Sequence, residues 1–160
     1  MKKALSLFAL ALCLAWTSPV LASEGWLTNL EEAQKIAKTQ GKDILVDFTG
    51  SDWCGWCIKL DKEVFQQEAF KTEAGKKWVF VALDFPRRKQ QSAEQKAYNR
   101  KLQAKYGVRG FPTILLMDSL GRPFGKTGYK RGGPEAYLKH LASFQEKRAA
   151  RDAAFKEAEA

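Results

Sequence analysis

Three short apolar runs, almost unbroken, constrain this chain most: Ile44-Leu45-Val46-Asp47-Phe48, Trp78-Val79-Phe80-Val81-Ala82-Leu83 and Ile114-Leu115-Leu116-Met117. A strand with one wet face alternates apolar and polar residues, so runs like these belong to strands buried on both faces. Such a sheet needs a helical layer on each side. The intervening stretches carry helical signals. Asn29 and Glu32 form a capping box ahead of Leu30, Ala33, Ile36 and Ala37, and Gly41 is the stop. A second helix is expected to open near Cys54 and run through Leu60 and Val64 toward Phe70. A third covers Ser92 to Lys105 before Gly107, and a fourth starts at Gly132-Gly133-Pro134 and buries Tyr137, Leu141 and Phe144. After the turn at Asp118–Gly121 an edge strand is expected around Phe124 to Tyr129. The order is helix, strand, helix, strand, helix, strand, strand, helix. That is an α/β chain whose mixed central sheet is flanked by helices on both faces, a βαβ unit followed by a hairpin and a closing helix.

The two ends read differently from this middle. Met1-Lys2-Lys3 is followed by an apolar run from Ala4 to Ala15, then Thr17-Ser18-Pro19 and Val20-Leu21-Ala22. A basic start, a short apolar centre and a compact-residue exit predict a secretory signal peptide over residues 1–22, cleaved after Ala22. The run is short for a membrane span of about 20 residues. Cys13 lies inside it behind Leu12, where a lipoprotein signal would want Gly or Ala, so it leaves with the leader. The processed chain keeps 138 of the 160 residues, and loss of Lys2 and Lys3 lowers its formal charge from +9 to +7. Residues 23–144 form one domain, and 145–160, rich in Ala, Lys, Arg and Glu, form a charged helical extension frayed at its end. Export places the protein in the periplasm and argues against nucleic acid as the partner of its positive charge.

Two cysteines remain, Cys54 and Cys57, and one histidine, His140. A zinc site is excluded for want of ligands, and no cofactor is called for. A disulfide across three residues closes almost no loop entropy, so stability is a poor reason for the pair. Trp53-Cys54-Gly55-Trp56-Cys57 falls where a strand passes through a loop into a helix. Residues three apart on a first helical turn share a face, which lets the two sulfurs meet. The free amides and dipole of the helix start favour a thiolate on Cys54, while Cys57, one turn in, is the more buried. Cys54 is then the attacking nucleophile and Cys57 the resolving thiol of a disulfide exchange that passes through a mixed disulfide.

A second block, Lys105-Tyr106-Gly107-Val108-Arg109-Gly110-Phe111-Pro112-Thr113, leads straight into the third strand. Together with Val46-Asp47-Phe48 and the Cys54–Cys57 segment, in this order and spacing, it resembles thioredoxin and its relatives from about Trp26 to Phe144. The resemblance implies the thioredoxin fold. It also implies that Pro112 is cis and lies against the disulfide, leaving the backbone of Phe111 to pair with an extended substrate. Asp47 matches the buried carboxylate that exchanges a proton with the resolving thiol. The lysine that partners that carboxylate is Ala82 here, and the loop from Asp47 to Cys54 is one residue longer. The segment Ser51-Asp52-Trp53-Cys54-Gly55-Trp56-Cys57 is more similar still to exported thioredoxin-like oxidoreductases of the DsbH type.

The dipeptide between the cysteines is Gly55-Trp56, with no charge and no good donor to sulfur. That predicts a relatively reducing couple and a protein-disulfide reductase acting on exported proteins. Weak isomerase activity and a non-catalytic binder of unfolded exported chains are the alternatives. The chain has no room for a dimerisation domain, so a monomer is expected. By resemblance, a membrane electron conduit of the DsbD type would supply the electrons. Trp56 is expected in substrate docking and Trp53 in packing. Arg87, Arg88, Lys89, Lys96, Arg100, Lys101, Lys105 and Arg109 are expected on a solvated face, and His140 on the surface.

Overall fold

The computed structural model describes residues 25–158. The expected signal peptide lies outside the described residues. The elements are β1 (Trp26–Leu27), α1 (Leu30–Gln40), β2 (Asp43–Thr49), α2 (Gly55–Leu60), a π turn (Asp61–Phe65), α3 (Glu68–Ala74), β3 (Trp78–Asp84), α4 (Ala93–Lys105), β4 (Thr113–Met117), β5 (Pro123–Thr127) and α5 (Gly133–Ala158). They build one five-stranded sheet in the order β1-β3-β2-β4-β5. β1 and β2 run parallel to β3, while β4 runs antiparallel to both β2 and β5. This is the thioredoxin fold, with its mixed sheet between two helical layers.

The Asn29 cap and the Gly41 stop expected for α1 are both present. The Asn29 side chain accepts the Glu32 N–H at 2.8 Å, and Gly41 closes the helix at φ 65°, a left-handed conformation that glycine adopts without strain. β2 alternates its side chains between the two layers. Ile44, Val46 and Phe48 face the core under α1 and α4, with Leu30, Ala33 and Leu102. Leu45 faces the other core, where Leu60, Phe70, Tyr137 and Leu141 come from α2, α3 and α5. Asp47 stands on that second face, two residues from Leu45, and this puts a carboxylate beneath the Cys54–Cys57 helix.

Four readings change. β1 was not anticipated; two residues are too few for any periodicity to reveal, and it exists because Trp26 and Leu27 pair with Phe80 and Val81. The single helix expected from Cys54 to Phe70 is three pieces, since the π turn delivers the chain to Gln67, where α3 begins again. The edge strand ends at Thr127, short of Tyr129. His140 is half-buried rather than on the surface: its Nε2 lies 2.8 Å from Thr127 Oγ1 and its ring packs edge-on to Phe144, because α5 rests on β5 along that face. The extension from Gln145 is continuous with α5, which reaches Ala158. Among the described residues no helix is long and apolar enough to cross a membrane.

Candidate active site

Cys54 caps α2. Its backbone is extended, and its Sγ accepts the Cys57 N–H at 3.3 Å, one of the donors that a helix start leaves free. The two cysteines are joined as a disulfide with Cα atoms 5.2 Å apart. Both are buried, Cys57 (3% exposed) slightly deeper than Cys54 (7%). The spacing logic of the sequence is thus realised by one turn of helix.

The loop that delivers Cys54 is firmly held. Gly50 allows it to turn close beneath Trp53: a Cβ at that position would lie 2.6 Å from the indole ring. The carbonyl of Gly50 accepts the N–H of both Trp53 and Cys54. Asp84 accepts from the Ser51 amide at 2.9 Å and from its hydroxyl at 2.6 Å. Trp53 donates its indole N–H to the Phe85 carbonyl at 2.7 Å and meets the Phe111 ring edge-on at 5.9 Å. The expected packing role of Trp53 is what this geometry describes. Through Phe111, it also touches the segment that carries Pro112, and the Phe111–Pro112 peptide bond is cis.

Trp56 is the opposite case. It is 53% exposed, with the Tyr129 ring 5.1 Å away and the Lys59 ammonium 5.4 Å from both ring centres. Tyr129 donates to Glu63 at 2.6 Å, and Lys59 and Glu63 are 3.7 Å apart. An exposed tryptophan is thereby held in one place beside Cys54.

Behind Cys57 lies a cavity of about 780 Å³. Asp47, Cys57, Asp61, Ala82, Asp84 and Lys89 are on its wall, and it reaches the surface past Gln66 and Gln90. Asp47 Oδ1 is, among the described residues, the one buried side-chain polar atom with no hydrogen-bond partner. Burial pushes the Asp47 carboxyl well above the usual carboxylate range, and the negative charges of Asp61 and Asp84 push it further. Burial also raises Asp61. Ala82 stands directly opposite Asp47 in the β2–β3 register, so no lysine reaches the carboxylate from there. Asp47 can also be read as a strand-end acid tied to backbone amides, but its oxygens would then be satisfied and its pKa lowered. Among the described residues no group of three or more Cys, His, Asp or Glu is placed to hold a metal ion.

Sequence reasoning left Asp61, Asp84 and Tyr129 out of the site. Two of them left a signal. Asp61 stands four residues after Cys57, hence on the same helical face. Asp84 stands two residues after Ala82, on the same face of β3.

A thioredoxin-like domain family model matches residues 30–145. The chain is 37% identical over 127 residues to the disulfide bond reductase DsbH of Chlamydia pneumoniae, covering 79% of this chain and 76% of that one. It is 29% identical over 108 residues to the thiol:disulfide interchange protein DsbD of Actinobacillus pleuropneumoniae serotype 5b (strain L20), covering 68% of this chain but 17% of that protein. A solved structure of a DsbH oxidoreductase superposes with a TM-score of 0.71 at 32% identity, covering 91% of this chain and 95% of that one.

Proposed function

The chain belongs to the thioredoxin-like family of thiol-disulfide oxidoreductases, with Cys54 and Cys57 as its Cys-x-x-Cys pair, and from that premise we propose that it is a periplasmic protein-disulfide reductase. The observation that carries the direction is the surroundings of Gly55-Trp56. The Trp56 ring turns to Tyr129, and the one cation beside it, Lys59, is engaged by two rings and by Glu63 rather than by sulfur. Strong oxidants stabilise their reduced thiolate heavily; here the Cys57 N–H is the donor to Cys54 Sγ, and Trp56 and Lys59 add nothing to it. The carboxylates of the adjoining cavity oppose a thiolate. The name of the DsbH relative supports the same direction.

In the cycle, the Cys54 thiolate attacks a substrate disulfide, forms a mixed disulfide and expels one substrate thiolate. Cys57 gives its proton to Asp47 and attacks Cys54 Sγ. This releases the second substrate thiol and leaves the Cys54–Cys57 disulfide. Two electrons have passed to the substrate, and a membrane donor of the DsbD type returns them. Asp47 suits the proton step because its Oδ1 carries no competing bond and its raised pKa brings it nearer to that of a thiol. Trp56, Phe111 and Pro112 receive the extended substrate. A leader over residues 1–22 delivers the protein, which works as a monomer.

The test is the equilibrium of Cys54–Cys57 with glutathione. A couple near the thioredoxin value of about −270 mV supports reduction, and one near the strong-oxidase value of about −120 mV overturns it.

A further inference from the structure

The loop before Cys54 presents a cation beside the site. The Asp52 carboxylate accepts the backbone N–H groups of Arg87 at 2.9 Å, Arg88 at 2.7 Å and Lys89 at 2.8 Å. These bonds, led by the one from Arg87, lower its pKa to about 2, so the clasp is an ionised one at any physiological pH. It fixes the chain just after β3 against the active-site loop. Arg87 then lies over Trp53, its guanidinium carbon 3.8 Å from the ring centre. Trp53 is itself immobile, bonded to the Phe85 carbonyl and wedged against Phe111. The guanidinium is therefore held on the residue that precedes Cys54.

Stacking engages the face of a guanidinium and leaves its edge of N–H donors free. Among the described residues, the Arg87 side chain makes no hydrogen bond and no ion pair, and neither does that of Arg88 or Arg109. Asp52, the acid nearest in sequence, is turned to backbone amides. A flat, pre-oriented fork with unused donors matches a carboxylate, which it can grip with two parallel bonds.

We propose that Arg87 is a specificity residue that binds an Asp or Glu side chain flanking the cysteine of a protein substrate. The proposal rests on Cys54 being the attacking thiol, as above. It selects acidic segments among exported disulfides, a preference that the Gly55-Trp56 dipeptide could not supply.

The experiment uses two peptide disulfides identical except for Glu or Gln beside the reactive cysteine, with kcat/KM measured for each. The wild-type protein is expected to prefer the Glu peptide by about tenfold, the size of one charge-assisted bidentate contact. In Arg87→Ala that preference falls to within about twofold while the Gln peptide reacts as before, and Arg87→Lys restores part of it. Arg88→Ala leaves it intact. Equal rates for the two peptides with wild type would overturn the proposal. So would equal slowing of both by Arg87→Ala, which would make Arg87 a mere prop for Trp53. A preference lost equally in Arg88→Ala and Arg87→Ala would mean diffuse attraction and would overturn it too. If wild type reduced neither peptide while exchanging with neither thiol form, the oxidoreductase reading itself would fall, and that result differs from equal rates.

Discussion

The two sulfurs of one disulfide look onto different surroundings. On the Cys57 side is a cavity whose charged groups are mostly acids, with one carboxylate oxygen left without a partner. On the Cys54 side are rings and cations: Trp53 under Arg87, Phe111 beyond it, and Trp56 exposed against Tyr129. The difference separates two tasks that a disulfide exchange must perform in sequence. A proton is best stored where charge is costly, and a partner chain is best met where side chains are accessible but already ordered. Neither side could do the other's work.

The sharpest way to break this comparison is to remove each sulfur in turn. Cys54→Ser is expected to lose disulfide reduction down to the uncatalysed background. Cys57→Ser is expected to accumulate mixed disulfides with substrate, seen on non-reducing gels. Equal trapping by both variants would erase the distinction between the sides.

Asp47→Asn comes next. It is expected to slow release of the mixed disulfide by roughly 10²-fold near pH 7, the usual scale for a lost acid–base group. The deficit narrows at alkaline pH as the Cys57 thiol ionises unaided. Stability moves the other way. A carboxyl whose folded pKa is raised stabilises the fold fully below its unfolded pKa, and that contribution is lost as pH rises through the folded value. Asp47→Asn is therefore expected to melt at a higher temperature than wild type above the ordinary carboxylate range, with a gap that widens toward neutral pH. A gap that shrank with rising pH would show that the fold lowers the Asp47 pKa rather than raising it.

Asp61→Asn tests whether the cavity acts as one electrostatic unit. Removing that charge is expected to lower the Asp47 pKa and to move the pH midpoint of mixed-disulfide release to a lower value. A stopped-flow pH series with an unmoved midpoint would show that the two acids are independent. Smaller effects separate the tryptophans. Trp53→Ala is expected to cost roughly 2 kcal/mol or more in urea unfolding, through lost packing and an orphaned Phe85 carbonyl. Trp56→Ala is expected to leave stability unchanged and raise KM about two- to fivefold. If the two variants behaved alike, exposure would be no guide to role.

The sheet and its layers were legible because Ile44–Phe48, Trp78–Leu83 and Ile114–Met117 are apolar enough to demand cover on both faces. The cysteine pair was legible because its chemistry depends on a spacing of three, and its place on a helix follows from the strand and loop before it. The acid cavity was not. It is assembled from β2, the π turn and β3, and it needs the parallel β2–β3 register that sets Asp47 opposite Ala82. The π turn was hidden for a related reason: Leu60, Val64 and Phe65 keep an apolar face through it, so the pattern reads as unbroken helix. Arg87 looked like one more charge on a solvated face, and only the Asp52 clasp, which joins residues 35 apart, gives it an address.

Asp43, the first residue of β2, has a bearing on when the site comes into being. Its carboxylate accepts from Gln145 at 3.1 Å and pairs with Arg148, which lies 105 residues further along the chain. Tyr137 and Leu141 of the same helix are fully enclosed beneath the sheet. A growing or threading chain therefore exposes both cysteines long before the helix that secures their strand arrives, and contacts of such separation are slow to form. Thiol chemistry at Cys54 during that interval is that of an unorganised peptide. Competence is therefore expected to arrive with the last helix, and pulse-labelling of Cys54 along a series of chains stopped on either side of residue 133 would time its arrival.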